Sequence, residues 1–175
     1  MRKIGRQVPF EELSEQEQKL LRAARKTMEN AYNPYSGFYV GAAVLTTGGE
    51  IIPGANMENA AYGDSICAER IALGRANAMG YGNACEAIAV VARGRDSPTT
   101  EVTAPCGSCR QVIFEAACRS GFNEELEVIM ATTNFGKILI AKIGDLLPLP
   151  FGPKDLDLAK EEAKNEKIKA APSIS

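Results

Sequence analysis

The sequence predicts one α/β domain, in which a mixed five-stranded sheet carries helices on its faces. A length of 175 residues suits a single core better than two domains of ordinary size. Hydrophobic residues make up 45% of the chain and charged residues 24%, which is typical of a globular protein. Helical and extended patterns follow one another in the order α-β-β-α-β-α-β-β, as expected for helices layered on a sheet.

The first helix is predicted to run from Ser14 to about Ala31, because Ser14 and Glu17 form a capping box. Apolar residues within it recur at steps of three and four, giving one buried stripe: Leu20, Leu21, Ala24, Met28 and Ala31. A break containing Pro and Gly at 33–37 ends the helix. The extended runs 38–45 and 50–52, joined by Thr-Thr-Gly-Gly, then predict a β-hairpin.

The second helix is predicted over 66–79, with Asp64 or Ser65 as its cap and Gly80 after its end. The continuous apolar run 87–92 indicates a central strand covered on both faces. A third helix over 106–119, strands over 126–131 and 137–143, and a turn at 145–147 complete the order.

Domain boundaries follow from these elements. We expect the folded domain to cover 14–157, after an N-terminal extension of 1–13. Residues 158–175 alternate Lys, Glu and Ala with few large apolar side chains, which indicates a charged tail that is a solvated helix or disordered.

The charge balance argues against a nucleic-acid substrate. The chain has 20 Lys and Arg against 22 Asp and Glu, so no basic excess is available to neutralise a phosphate backbone. No apolar segment of a signal peptide follows the basic start, and no run approaches the roughly 18 apolar residues of a membrane helix. We therefore expect a cytoplasmic protein that binds neither nucleic acid nor membrane.

The cysteines carry the strongest chemical signal. Five is an odd number without the spacing of a disulfide framework, and the chain has no histidine. A metal would therefore bind thiolates or carboxylates, and acid–base chemistry would use a carboxylate. Cys67, Cys106 and Cys109 lie near predicted helix starts, where partial positive charge favours thiolates, and together they offer zinc three ligands and an open position.

The Cys-x-x-Cys pair has two other interpretations, a redox pair and half of a structural zinc site. A redox pair has no need of the third cysteine, Cys67. A structural zinc site needs a fourth ligand, yet Cys85 borders a core strand and Cys118 lies too far along the third helix, so both are expected to be buried, inert thiols. Glu69 lies two residues after Cys67, where its carboxylate could move protons beside the metal without ligating it.

Six ordered motifs, spread over about residues 20–157, resemble the cytidine deaminase family. They are Asn-Pro-Tyr-Ser-Gly-Phe at 33–38, Val-Gly-Ala-Ala at 40–43, Asn-Met-Glu-Asn-Ala-Ala-Tyr at 56–62, Cys-Ala-Glu-Arg at 67–70, Pro-Cys-Gly-Ser-Cys-Arg-Gln at 105–111, and Leu-Leu-Pro at 146–148 with Phe-Gly-Pro at 151–153. The resemblance implies a three-layer fold, one Zn²⁺ per chain, and hydrolytic deamination of cytidine and 2′-deoxycytidine to the uridines with release of ammonia.

The resemblance also implies roles for individual residues. Glu69 would transfer protons between the attacking water, N3 and the leaving amine. Substrate would be bound by Phe38 on the base, Asn56 and Glu58 on the ribose, and backbone near Ala68 and Ala104 at the pyrimidine edge. Arg70 would hydrogen-bond a thiolate sulfur and so offset the net −1 charge of three thiolates and Zn²⁺.

Short members of the family are homotetramers, so we expect a homotetramer or a dimer. Ala60, Tyr62 and Phe151 would then reach the site of a neighbouring subunit. Residues alone leave Arg110 open between supporting the third helix and balancing charge. The alternatives to cytidine are a modified cytosine nucleoside or a nucleoside antibiotic such as blasticidin S, a non-catalytic zinc domain, and a deaminase of nucleic acid.

Overall fold

The computed structural model describes residues 4–156, so the charged tail predicted at 158–175 lies outside the described residues. The chain folds into three layers, with α1 on one face of a sheet and α2, α3 and α4 on the other. The helices are α1 (Glu15–Met28), α2 (Ala68–Ala78), α3 (Gly107–Arg119) and α4 (Ile143–Leu146). The strands are β1 (Arg6–Gln7), β2 (Tyr39–Thr46), β3 (Ile51–Ala55), β4 (Cys85–Arg93), β5 (Glu127–Ala131) and β6 (Ile138–Lys142).

The sheet is mixed, in the order β1-β6-β5-β4-β2-β3. The central strands β4 and β5 are parallel, and every other neighbouring pair is antiparallel. Along β2, Ala42 and Val44 face the layer of α2 and α3, whereas Ala43 and Leu45 face α1. Both faces are buried, which explains the near-continuous apolar sequence of the central strands.

Helix α1 follows its sequence signals closely. The Ser14 hydroxyl accepts from the Glu17 backbone N–H at 3.2 Å, and the Glu17 carboxylate accepts from the Ser14 N–H at 2.7 Å. The predicted stripe is buried from Leu20 to Met28, but the helix ends at Met28 rather than at Ala31.

The prediction of five strands was wrong by one. The sixth is β1, which lies in the predicted N-terminal extension and pairs Arg6 with Ile140 and Gln7 with Leu139. Both of its residues are exposed and polar, so no apolar alternation marks it in the sequence. It forms because the edge of β6 offers unpaired backbone groups, which a second strand can satisfy.

Helix α2 begins later than predicted, with Cys67 as its cap. The Ser65 hydroxyl, one of two predicted caps, instead accepts from the Asn59 N–H at 3.1 Å. The helix lies against β3 at Gly54, where a Cβ would come within 2.4 Å of the Ala72 nitrogen and 2.7 Å of the Ala68 oxygen. Only glycine permits this approach, which places the start of α2 beside the sheet.

No helix within residues 4–156 is both long enough and apolar enough to cross a membrane.

Candidate metal centre and substrate pocket

Two helix starts bring three sulfur atoms together. Cys67 caps α2, Cys106 caps α3, and Cys109 lies in the first turn of α3. Their Sγ atoms all lie within 4.8 Å of one another. Two sulfurs bound to a tetrahedral zinc at about 2.3 Å lie about 3.8 Å apart, so this spacing and this donor set fit zinc. Within residues 4–156 no other group of three such side chains is close enough to share an ion.

The cluster favours the thiolate form at Cys67. Hydrogen bonding from Cys109 is the largest influence, and together with Cys106 and Arg70 it lowers the pKa of Cys67 to about 6, against burial and the charge of Glu69. The pKa of Cys109 is raised, first by its hydrogen bond to Cys67 and then by burial, because its thiol is the donor of that pair. Helix N-termini add partial positive charge that stabilises thiolates.

Glu69 lies in the first turn of α2 and is only 4% exposed. Burial raises the pKa of its carboxyl, and hydrogen bonds from its own backbone and from Cys109 oppose this in part. A buried carboxyl with a raised pKa holds its proton more readily than an exposed one, which suits acid–base catalysis. The cluster that could hold a metal consists of the three cysteines without Glu69.

Two arginines flank the cluster in different ways. Arg70 is exposed on α2, and its positive charge contributes to lowering the pKa of Cys67. Arg110 donates from Nε to the Pro105 carbonyl and from Nη1 to the Leu146 carbonyl, both at 2.8 Å. Arg110 therefore connects the start of α3 to the end of α4. These hydrogen bonds favour the first of its two predicted roles, support of the third helix.

A cavity of about 320 Å³ is lined by Tyr35, Ser36, Glu58, Tyr62 and Ser65. The Glu58 Oε2 atom accepts from the backbone N–H groups of Tyr35, at 3.0 Å, and Ser36, at 3.2 Å. Tyr62 was predicted to serve a neighbouring subunit, yet in the single chain it lines the same cavity as Glu58 and packs edge-on against Tyr35.

Asn56 ties this region to the sheet. Its Oδ1 accepts from the Val40 N–H at 2.8 Å, and its Nδ2 donates to the Phe38 carbonyl at 2.9 Å. One amide hydrogen of Asn56 remains for another acceptor. Phe38, the residue immediately before β2, is 38% exposed.

The remaining predicted site residues lie in two groups. Ala68, the first residue of α2, is buried next to Cys67, whereas Ala104 is exposed just before Pro105. Ala60 and Phe151 are exposed, Phe151 to 60%. The Phe151 carbonyl accepts from the Gln111 side chain at 2.7 Å, which attaches the C-terminal segment to α3.

Sequence reasoning missed Tyr35, Ser36 and Ser65 as lining residues. The first two lie inside the motif at 33–38 and could have been found there, since Glu58 needs hydrogen-bond donors. A larger cavity of about 540 Å³, lined by Phe10, Phe135 and side chains of α1, lies on the face of the sheet opposite the cysteines.

The chain matches known proteins along most of its length. Residues 14–122 match the family described as the cytidine and deoxycytidylate deaminase zinc-binding region. It is 39% identical to a cytidine deaminase of Sporosarcina psychrophila, over 83% of this chain and 98% of that protein. It is 41% identical to the one from Halalkalibacterium halodurans, over 80% of this chain and 97% of that protein.

Solved structures agree with the sequence relatives. The crystal structure of cytidine deaminase from Burkholderia pseudomallei superposes with a TM-score of 0.68 at 42% identity, covering 79% of this chain and all of that one. The enzyme from Mycobacterium tuberculosis gives 0.60 at 36% identity, over 77% and 95%. The chain therefore belongs to the cytidine and deoxycytidylate deaminase family.

Proposed function

We propose that this chain is a zinc-dependent cytidine deaminase, which hydrolyses cytidine and 2′-deoxycytidine to uridine and 2′-deoxyuridine and releases ammonia, as in pyrimidine salvage. The observation that carries the proposal is the buried Glu69 beside three convergent sulfurs. A structural zinc site has no use for such a carboxylate. Relatives named cytidine deaminase favour the ordinary nucleoside over the nucleoside antibiotic considered above.

Cys67, Cys106 and Cys109 would hold the zinc ion, one per chain. When bound, zinc supplies Lewis-acid activation of a water molecule near neutral pH. Glu69 takes one proton from the attacking water and delivers it to N3 of the pyrimidine. It then takes the proton of the new hydroxyl group at C4 and passes it to the amine, so that C4 becomes a carbonyl and ammonia leaves. Its raised pKa, caused by burial, allows the same carboxyl to accept and return the proton.

The other residues hold the nucleoside for this step. Phe38 presents an exposed ring to the base, and backbone near Ala68 and Ala104 meets the pyrimidine edge. Glu58 uses Oε2 for backbone donors and so has Oε1 for a ribose hydroxyl. Asn56 offers its remaining N–H beside it. Arg70 would offset the negative charge of three thiolates.

The test is an ultraviolet absorbance assay that measures the turnover of cytidine and 2′-deoxycytidine. Wild-type enzyme should deaminate both, whereas Glu69→Gln should keep zinc and fold but lose roughly 10²–10⁴-fold or more in turnover. Glu15→Gln, on the exposed start of α1, is the control and should leave turnover unchanged. Turnover of Glu69→Gln near that of the wild type would contradict the assignment.

We further infer that the enzyme is a cytoplasmic homotetramer or dimer, with Ala60, Tyr62 and Phe151 reaching a neighbour's site. Support comes from the exposure of large apolar side chains in these two segments. Tyr62 is 74% exposed, Phe151 60% and Leu149 99%. Large apolar side chains exposed to this extent favour contact with another protein chain.

A further inference from the structure

The segment 34–38 connects the two halves of the proposed nucleoside site. Its Tyr35 and Ser36 N–H groups donate to Glu58, and the Ser36 hydroxyl accepts from the Phe38 N–H at 3.0 Å. Glu58, proposed to bind the ribose, and Phe38, proposed to meet the base, are therefore both held by hydrogen bonds to this segment. A displacement of this segment would move Glu58 and Phe38 together.

Arg95, in the loop after β4, lies directly against that segment. Its Nη2 donates to the Pro34 carbonyl at 3.3 Å. Gly37 has a φ of +64°, and a Cβ on it would lie 2.7 Å from the Arg95 Nε. The guanidinium therefore packs against bare backbone at Gly37 while it binds the carbonyl of Pro34.

The charge of Arg95 also reaches Glu58. A hydrogen bond from the Ser36 hydroxyl is the largest influence that lowers the pKa of Glu58, and attraction to Arg95 adds to it. Arg95 thus favours the ionised carboxylate that accepts the two backbone donors.

Arg95 is itself held in place from α1. Arg93 binds the Glu29 carboxylate at the end of α1 through Nη2, at 2.8 Å, and Nε, at 3.3 Å. Its Nη1 donates to the carbonyls of Gly94 and Arg95, both at 3.2 Å, and its guanidinium stacks on Tyr39. A continuous set of contacts thus runs from α1 through the loop to the support of Glu58.

From these contacts we propose that Arg95 is a positioning residue for ribose recognition, which holds the segment 34–38 so that Glu58 faces the ribose hydroxyls. The proposal rests on the function proposed above. Arg95 touches no reacting atom, so its loss removes substrate binding that is equal in the ground and transition states.

Steady-state kinetics of Arg95→Ala should show a KM for cytidine raised roughly tenfold with kcat nearly unchanged. The matched control is Arg75→Ala, because Arg75 is also exposed and donates to a proline carbonyl, that of Pro53, at 3.3 Å. The control should keep the wild-type KM. Thermal unfolding of both variants should match the wild type, since each removes one exposed hydrogen bond.

A substrate analogue separates positioning from general structural support. 2′,3′-Dideoxycytidine lacks the hydroxyls that Glu58 would bind but keeps the base that Phe38 would meet. Its inhibition constant against cytidine should therefore rise less in Arg95→Ala than the KM for cytidine does. An equal loss for both compounds, or an unchanged KM for cytidine, would overturn the role of Arg95. Wild-type enzyme without activity on cytidine would instead overturn the proposed function, so the two failures are distinguishable.

Discussion

Cys67, Cys106 and Cys109 lie at the starts of helices, whereas Cys85 opens a buried strand and the half-buried Cys118 lies in the last turn of α3. Position decides their chemistry. The helix starts bring three sulfur atoms within 4.8 Å of one another, whereas burial raises the pKa of Cys85 to about 12. At neutral pH Cys85 is therefore a protonated thiol, and a metal ligand must be a thiolate.

Zinc content should accordingly separate the cysteines. Cys67→Ala should lose zinc, because two thiolates remain, while Cys85→Ala and Cys118→Ala should keep about one zinc per chain. Metal analysis after gel filtration measures this. Zinc lost from Cys85→Ala, with Cys67→Ala still loaded, would refute the ligand assignment.

At the scale of elements, the approach of α2 to β3 matters most for the site. Gly54 leaves no room for a Cβ, so Gly54→Ala should push α2 away and carry Cys67 and Glu69 with it. We expect a loss of about 1–3 kcal/mol in the free energy of unfolding, as for an overpacked core, together with weaker zinc retention. Denaturant titration and metal analysis provide the measurements.

Gly74, in the same helix, is the control for that change. Nothing lies within 4 Å of a Cβ there, and its backbone is helical, so Gly74→Ala should stabilise α2 by up to about 1 kcal/mol. Destabilisation by both variants to the same extent would mean that the tight contact with β3 is not the cause.

The sequence predicts elements well where local chemistry decides them. The Ser14 and Glu17 pair marks the start of α1, and the apolar run of β4 marks a central strand. Strand β1 could not be predicted, because its two polar residues depend on an edge formed far along the chain. The start of α2 was misplaced because Ser65 is engaged by Asn59, a contact between loop residues.

The site shows the same division. Residue type and sequence spacing identify Cys67, Glu69 and the pair Cys106 and Cys109, because a metal site needs particular residue types close together. Arg95 carries no such signal. Its partners, Pro34 and Gly37, lie about 60 residues earlier and meet it only through β2 and β4.

At the scale of the whole molecule, the exposed Phe151 tests whether sites are shared between chains. Phe151→Ala should weaken cytidine binding or turnover while zinc content stays normal, because the ring would close a neighbour's pocket over the base. Mixing this variant with Glu69→Gln should restore some activity, since a hybrid site can combine an intact Glu69 with an intact Phe151.

The mixing experiment requires that subunits exchange between oligomers. A tagged wild-type chain can verify that they do. The absorbance assay with cytidine then compares the mixture with each parent. A mixture no more active than its parents after confirmed exchange, or a fully active monomer, would rule out a shared site.

The order of the sulfur ligands along the chain bears on when a metal can bind. Cys67 precedes β4 in the sequence, Cys106 and Cys109 follow it, and the three meet where α3 packs beside α2. Pairing β4 with the parallel β5 needs contacts distant in sequence, which form slowly. We therefore expect zinc to bind after the chain has folded around its site, so that zinc slows unfolding and leaves the refolding rate unchanged.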